Sequence, residues 1–207
     1  MSNPHINYYF TPISPWAYLG AARFREILDA KKADVTIHLV DYGTIFPQSG
    51  GLPLPKRAPQ RLAYRMAELK RFRDFLGIPL VLEPTHFPSQ SRLGTYASMA
   101  AIDLGGSHAG LHASEAIMAG LWTKNMNMDS QEDVQNVLDQ VQDTTGLSGR
   151  VILDHAQNMT DAYDEKIKTD TEKALSENIF GAPSYVLDGE VFWGQDRLDL
   201  LAWRLGL

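Results

Sequence analysis

The chain contains no cysteine among its 207 residues. Disulfides, thiolate metal sites and a thiol nucleophile of the protein's own are therefore excluded. Any sulfur chemistry must use sulfur that arrives on a ligand. No apolar run approaches the roughly 20 residues that a bilayer-crossing helix needs. The opening MSNPHINYYF lacks the basic stretch and long apolar segment of a secretory signal. These two absences predict a cytoplasmic chain without a membrane partner. Basic tails and stripes are missing too, and the formal net charge is −6. Nucleic acid is accordingly not an expected partner. What the chain does have is 44% hydrophobic content, enough for a well-formed core.

Ile6-Asn7-Tyr8-Tyr9-Phe10 reads as a buried strand. A helix then starts at Pro15, with Ser14 as its cap, and carries Trp16, Leu19, Phe24, Ile27 and Leu28 at helical intervals to Lys31 and Lys32. Val35 to Val40 is a second strand. Strand, helix and strand in this order predict a right-handed crossover with parallel strands. Gly43 to Ala58, with its prolines and glycines, reads as a long loop. Pro59 opens a helix that Gly77 closes, and Ile78 to Ser91 reads as extended. Helical periodicity fills 92–104, 108–124, 130–143, 148–158 and 160–178, with breaks at Gly105-Gly106, Asn125–Asp129, Gly146 and Asn158. Ser107, Ser130 and Ser148 are the expected caps. Asp188-Gly189 between Ser184–Leu187 and Glu190–Trp193 signals a hairpin. A helix from Gln195 to Leu205 ends the pattern.

This order resembles the thioredoxin architecture: an α/β fold with a four-stranded mixed sheet and an inserted all-helical subdomain. Residues 1–55 and 179–207 form the thioredoxin-like domain on this reading, and 56–178 the helical insertion. The active-site turn of that architecture falls at Ser14. Thiol–disulfide oxidoreductases of this fold carry Cys-x-x-Cys there, whereas this chain has Ser14-Pro15-Trp16-Ala17. Dithiol exchange is chemically closed to it.

Three motifs in order carry a closer resemblance. Phe10-Thr11-Pro12-Ile13-Ser14-Pro15-Trp16-Ala17-Tyr18-Leu19, Phe180-Gly181-Ala182-Pro183-Ser184 and Trp193-Gly194-Gln195-Asp196-Arg197-Leu198 resemble segments of 2-hydroxychromene-2-carboxylate isomerases. That family is in turn similar to kappa-class glutathione transferases. The resemblance implies glutathione as cofactor and a small aromatic compound as substrate. Ser14 would be the catalytic residue, its hydroxyl holding the glutathione sulfur as thiolate above a helix N-terminus. Ala182 and Pro183 would form a cis-proline turn whose backbone pairs with the cysteine moiety. Asp196 would accept from the γ-glutamyl ammonium, Gln195 would hold the adjoining carboxylate, and Arg197 would contact ligand or brace Asp196. The family's loop asparagine is missing from Gly50–Arg61, which leaves Leu52 and Pro53, or Lys56, Arg57 and Arg61, for the glycine carboxylate. A homodimer is implied as well.

Trp16, Phe46 and Tyr64 are candidates to line an apolar substrate pocket. His108, His112 and Glu115 have helical metal-ligand spacing but not H-E-x-x-H, so no metal is expected. The activity expected is isomerisation of 2-hydroxychromene-2-carboxylate and trans-o-hydroxybenzylidenepyruvate, or a related aromatic catabolite. A kappa-like transferase or peroxidase, and a non-catalytic binding protein of the same fold, are the alternatives.

Overall fold

The computed structural model describes residues 3–88 and 91–207. Strand β1 (His5–Phe10) is followed by α1 (Pro15–Lys31) and by β2 (Asp34–Leu39), which pairs parallel to β1. Ser14 starts α1 by accepting from the Ala17 N–H at 3.2 Å, with Pro15 at the first helical position. Lys32 ends the helix in a left-handed conformation. This crossover is the one that the apolar spacing predicts.

Two helical elements occupy the expected loop at 43–58. Helix α2 (Tyr42–Ser49) and a 3-10 turn at Leu54–Lys56 follow β2 directly. Asp41 nucleates α2, accepting from the Gly43 N–H at 2.8 Å and the Thr44 hydroxyl at 2.7 Å. Pro47 lies inside this helix and removes a single backbone donor from it. Gly50, left-handed at φ 75°, ends it. A strong side-chain cap thus outweighed a proline that argued for a loop.

Helix α3 (Pro59–Leu76) ends at left-handed Gly77 as expected. Residues 78–88 form no helix or strand; Ser89 and Gln90 of the expected stretch lie outside the described residues, and its last residue, Ser91, is left-handed at φ 42° rather than extended. Element α4 (Arg92–Lys124) is two helical stretches that meet at a kink at the expected break, where Gly106 is non-helical with φ 71° and ψ −172°. Ser107 does not cap there. Its hydroxyl donates to the Val35 carbonyl at 2.7 Å, tying the kink to β2. Where one helix was expected at 130–143 there are two, α5 (Gln131–Asp139) and α6 (Gln142–Thr145). Helices α7 (Gly149–Asn158) and α8 (Thr160–Ser176) complete the helical block. Ser130 and Ser148 cap α5 and α7 as predicted.

Strands β3 (Ser184–Leu187) and β4 (Glu190–Trp193) close the sheet in the order β2-β1-β3-β4, both added antiparallel. Asp188 and Gly189 have φ 51° and 81°, the paired left-handed residues that a type I′ hairpin needs. A 3-10 turn at Gln195–Arg197 then leads into α9 (Leu198–Arg204).

Period-two alternation along β1 decides which layer packs where. Ile6, Tyr8 and Phe10 face α1 and the helical block, where Tyr8 stacks between Phe10 and Tyr185 at 4.4 and 5.1 Å. Tyr9 points the other way, into a second cluster with Tyr42, Ile45, Ala174 and Val186. The sheet is therefore covered on both faces. The C-terminal ends of β1 and β2, the start of α1 and the turn before β3 converge at one edge of it.

Candidate functional site

Ser14 sits at the β1–α1 junction, where the backbone is extended (φ −84°, ψ 117°) and the side chain is only 7% exposed. Its N–H donates to the Thr11 carbonyl at 3.0 Å. Its oxygen is used by the helix cap, but its own proton is donated to no group among the described residues. Ser14 opens onto a cavity of about 910 Å³. That volume falls in the upper part of the range typical of small-molecule sites.

The turn before β3 forms the facing wall. The Ala182–Pro183 peptide is cis, as the resemblance implies, and Ala182 lines the cavity. Pro183 is buried behind it, its carbonyl accepting from the Gly194 N–H at 2.8 Å. The Ala182 N–H and C=O make no hydrogen bond among the described residues. This leaves a free backbone edge opposite Ser14. Gly181 anchors the turn: its carbonyl accepts from the Tyr42 hydroxyl and from the Ser184 hydroxyl, both at 2.8 Å. A Cβ on Gly181 would lie 2.1 Å from Trp193 Nε1, so only glycine lets the indole rest on the turn. Because Ser184 still serves the carbonyl in Tyr42→Phe, that variant should lose only about 1 kcal/mol of stability. Denaturant unfolding would measure it; a loss near zero would mean that the Tyr42 bond does not hold the turn.

The third wall comes from 49–65. Leu52 lines the cavity with its carbonyl taken by Arg57 Nε at 2.7 Å. Arg57, Arg61 and Arg65 also line it, and Arg92 enters from α4. Arg92 is neutralised by Asp164 and bonded to Tyr96. Burial, with Arg61 adding to it, lowers the Arg57 pKa. Trp16 and Phe46 are lining residues, in contact with Phe72 and Tyr42 respectively.

Several sequence candidates lie off the cavity wall, the exposed Lys56 among them. Tyr64 does not line the cavity; its ring is 61% exposed, beneath the Arg71 guanidinium. Gln195 is buried against α1, where Arg23 donates to its side-chain oxygen at 3.2 Å and to its backbone carbonyl at 3.4 Å. Asp196 and Arg197 are exposed, paired with one another at 3.2 Å, and also off the cavity wall. The adjacent Gly20 explains the orientation of Gln195: a Cβ there would stand 2.8 Å from Gln195 Cβ, so the turn seats its first side chain on α1. His108 and His112 have rings 4.7 Å apart, but Glu115 is held by Arg25 at 2.8 Å. Among the described residues no three His, Cys, Asp or Glu side chains group as metal ligands. No described helix is long and apolar enough to cross a membrane.

Sequence reasoning missed Arg65, Arg92, Phe180 and Trp193 as cavity residues. For Arg65 a signal existed: 57, 61 and 65 recur every fourth residue, which places the last two on one face of α3.

A family model for the DsbA-like thioredoxin domain matches residues 5–206. The chain belongs to that family. Within it, the chain is 23% identical over 205 residues to a 2-hydroxychromene-2-carboxylate isomerase of Pseudomonas putida, covering 97% of this chain and 94% of the relative. It is 26% identical over 213 residues to glutathione S-transferase kappa 1 of Caenorhabditis elegans, covering 96% and 89%. A solved 2-hydroxychromene-2-carboxylate isomerase superposes with a TM-score of 0.76 at 22% identity, over 98% of this chain and 94% of the other. This DsbA-like chain is thus related, at family or superfamily level, to those isomerases and to kappa-class transferases.

Proposed function

We propose that the protein is a glutathione-dependent cis–trans isomerase of a small aromatic compound, of the kind that interconverts 2-hydroxychromene-2-carboxylate and trans-o-hydroxybenzylidenepyruvate. One observation carries the reading. In a chain without cysteine, the Ser14 hydroxyl keeps a proton to donate, beside a helix N-terminus and across a cavity from a free backbone edge at Ala182. Glutathione fits this set at two of its parts. Ser14 would meet the thiol, and the Ala182 peptide, turned by Pro183, the cysteine backbone. Arg61 and the backbone at Leu52 would take the glycine carboxylate. The γ-glutamyl end would have to extend beyond the cavity wall to reach Asp196, which would leave its pairing with Arg197, while Gln195 is committed to Arg23.

Bound glutathione would supply a thiolate able to add reversibly to a conjugated double bond, which frees that bond to rotate. The chain's own residues would do the rest. Ser14 donates its hydrogen bond to the sulfur, and the N-terminal end of the α1 dipole adds partial positive charge. Both favour the ionised form at neutral pH. Trp16 and Phe46 exclude water from one side of an aromatic ring. Cavity arginines offset negative charge that develops on the substrate's oxygen.

The assay follows the absorbance of trans-o-hydroxybenzylidenepyruvate with and without glutathione. Turnover that needs glutathione, and leaves its concentration unchanged, is expected. Equal rates without it would overturn the reading. The kinship with the Caenorhabditis elegans kappa transferase supports a second reading, conjugation to another electrophile, and consumption of glutathione in the same assay would favour it. On the resemblance, the active species is taken as a cytoplasmic homodimer; light scattering is expected to return twice the chain mass.

A further inference from the structure

Three arginines reach the cavity from one short stretch of chain. Arg57 precedes α3, and Arg61 and Arg65 follow at four-residue intervals. None has an ion pair among the described residues. Like charges held together, and partly desolvated, weaken the fold unless something outside it supplies the counter-charge.

The three are not equivalent. Arg57 has committed Nε to the Leu52 carbonyl and covers the Phe46 ring, 5.8 Å from its centre. Arg61 is exposed. Arg65 is half-buried, and among the described residues its side chain's only hydrogen-bonding contact is a weak one, from Nη1 to the Met66 sulfur at 3.7 Å. Burial, with Arg57 adding to it, pushes its guanidinium down to about 10, so it stays charged at neutral pH. Its guanidinium lies over the Phe87 ring, 5.6 Å from the ring centre, and Phe87 is backed by the fully buried Trp122 at 4.9 Å. Phe87, Pro88 and Trp16 all line the cavity. A planar fork with unused donors, set at the border of an aromatic wall, suits a ring that carries a carboxylate: the ring lies on the wall and the carboxylate takes the fork.

We propose that Arg65 is the residue that selects the electrophile, holding the carboxylate of an anionic aromatic substrate while Arg61 serves glutathione. The assignment rests on the glutathione reading above, and it predicts a preference for anionic over neutral electrophiles that one side chain sets. It also explains why a cation without an ion-pair partner among the described residues is kept where it weakens the fold: the counter-charge arrives with the substrate.

The test uses two unreactive probes of one shape, 3-phenylpropanoate and 3-phenylpropanamide, titrated by calorimetry with and without glutathione. Arg65→Met should weaken the carboxylate about thirtyfold, the size of a lost hydrogen-bonded charge pair. The amide should change less than threefold, and the Kd for glutathione less than twofold. Arg65→Lys should fall between Met and wild type for the carboxylate. The melting temperature of Arg65→Met should equal or exceed that of wild type, whereas a bracing arginine would lower it. Equal losses for both probes, a loss confined to glutathione, a lowered melting temperature, or a wild type that ignores 3-phenylpropanoate would each overturn the assignment. Failure of the glutathione reading shows separately, as a wild type that does not bind glutathione; the titrations without glutathione then still decide the role of Arg65.

Discussion

Replacing Ser14 with alanine is expected to lower glutathione-dependent turnover about 100-fold and to raise the pKa of the bound thiol by about one to two units. The magnitude follows from the single hydrogen bond that the variant deletes. A hydrogen bond to a charged acceptor contributes roughly 1.5–3 kcal/mol, and about 1.4 kcal/mol is one pKa unit or a factor of ten in rate. The helix dipole of α1 remains in the variant, so part of the thiolate stabilisation survives. Alanine also removes the α1 cap, since Ser14 accepts from the Ala17 N–H. That loss is about 1 kcal/mol of stability. Ser14→Asp separates the two roles. Aspartate caps a helix about as well as serine, yet it sets a carboxylate against the sulfur. This variant should melt near the wild-type temperature and be at least as inactive as Ser14→Ala. Thiol ionisation read from ultraviolet absorbance decides the matter: an unshifted thiol pKa in Ser14→Ala, or an active Ser14→Asp, would reduce Ser14 to a cap.

What could be read from the sequence was whatever depends on neighbours in the chain. The Ser14-Pro15 start of α1, the Asp188-Gly189 hairpin and the Gly77 stop of α3 each depend on a few adjacent residues, and each is found where it was expected. Helix α2 was hidden because proline and glycine content argued for a loop, while the Asp41 cap that decides the conformation is a single side chain. The side chain of Gln195 could not be placed because its direction depends on Gly20, 175 positions earlier, leaving room for it. Tyr64 illustrates a rotational limit. It adjoins Arg65 in sequence, but one residue is a turn of about 100° round a helix, and on α3 that carries it out to solvent. The arginine spacing needed no distant contact and was open to inspection from the start.

Stability and binding should separate at Asp170, for which alanine is expected to cost about 3 kcal/mol. Helix α8 has two faces: Asp164 and Ile167 border the cavity, while Asp170 lies 5% exposed against the sheet. Its Oδ1 is 2.9 Å from His38 Nδ1, and its Oδ2 is 3.0 Å from Lys166 Nζ. His38 Nε2 is 3.1 Å from Asn7 Oδ1 and 3.3 Å from Lys173 Nζ, and Tyr9 stacks on the imidazole at 4.5 Å. Removing one member of a buried charged network typically costs 3–5 kcal/mol; the lower end applies because Lys166 is partly exposed and can turn to water. For a chain of this length the melting temperature should fall by roughly 6–12 °C. Burial acts to raise the Asp170 pKa, but the bonds from His38 and Lys166 outweigh it and hold the carboxyl below its ordinary value. The sign of the pH dependence follows. Because the folded pKa is depressed, the stability is complete above the ordinary carboxylate pKa of about 3.9 and is lost as pH falls through the folded value. The gap in melting temperature between wild type and Asp170→Ala should therefore narrow as pH is taken from 7 down to 3. A gap as wide at pH 3 as at pH 7 would show that the carboxylate charge is not what holds α8 to the sheet. None of His38, Asn7, Asp170 or Lys173 lines the cavity. At temperatures where both proteins are folded, the variant should therefore bind glutathione within about threefold of wild type, a span of less than 1 kcal/mol. A larger loss would mean that the cavity wall on α8 takes its position from this network, making Asp170 a positioning residue for the site as well as an anchor for the fold.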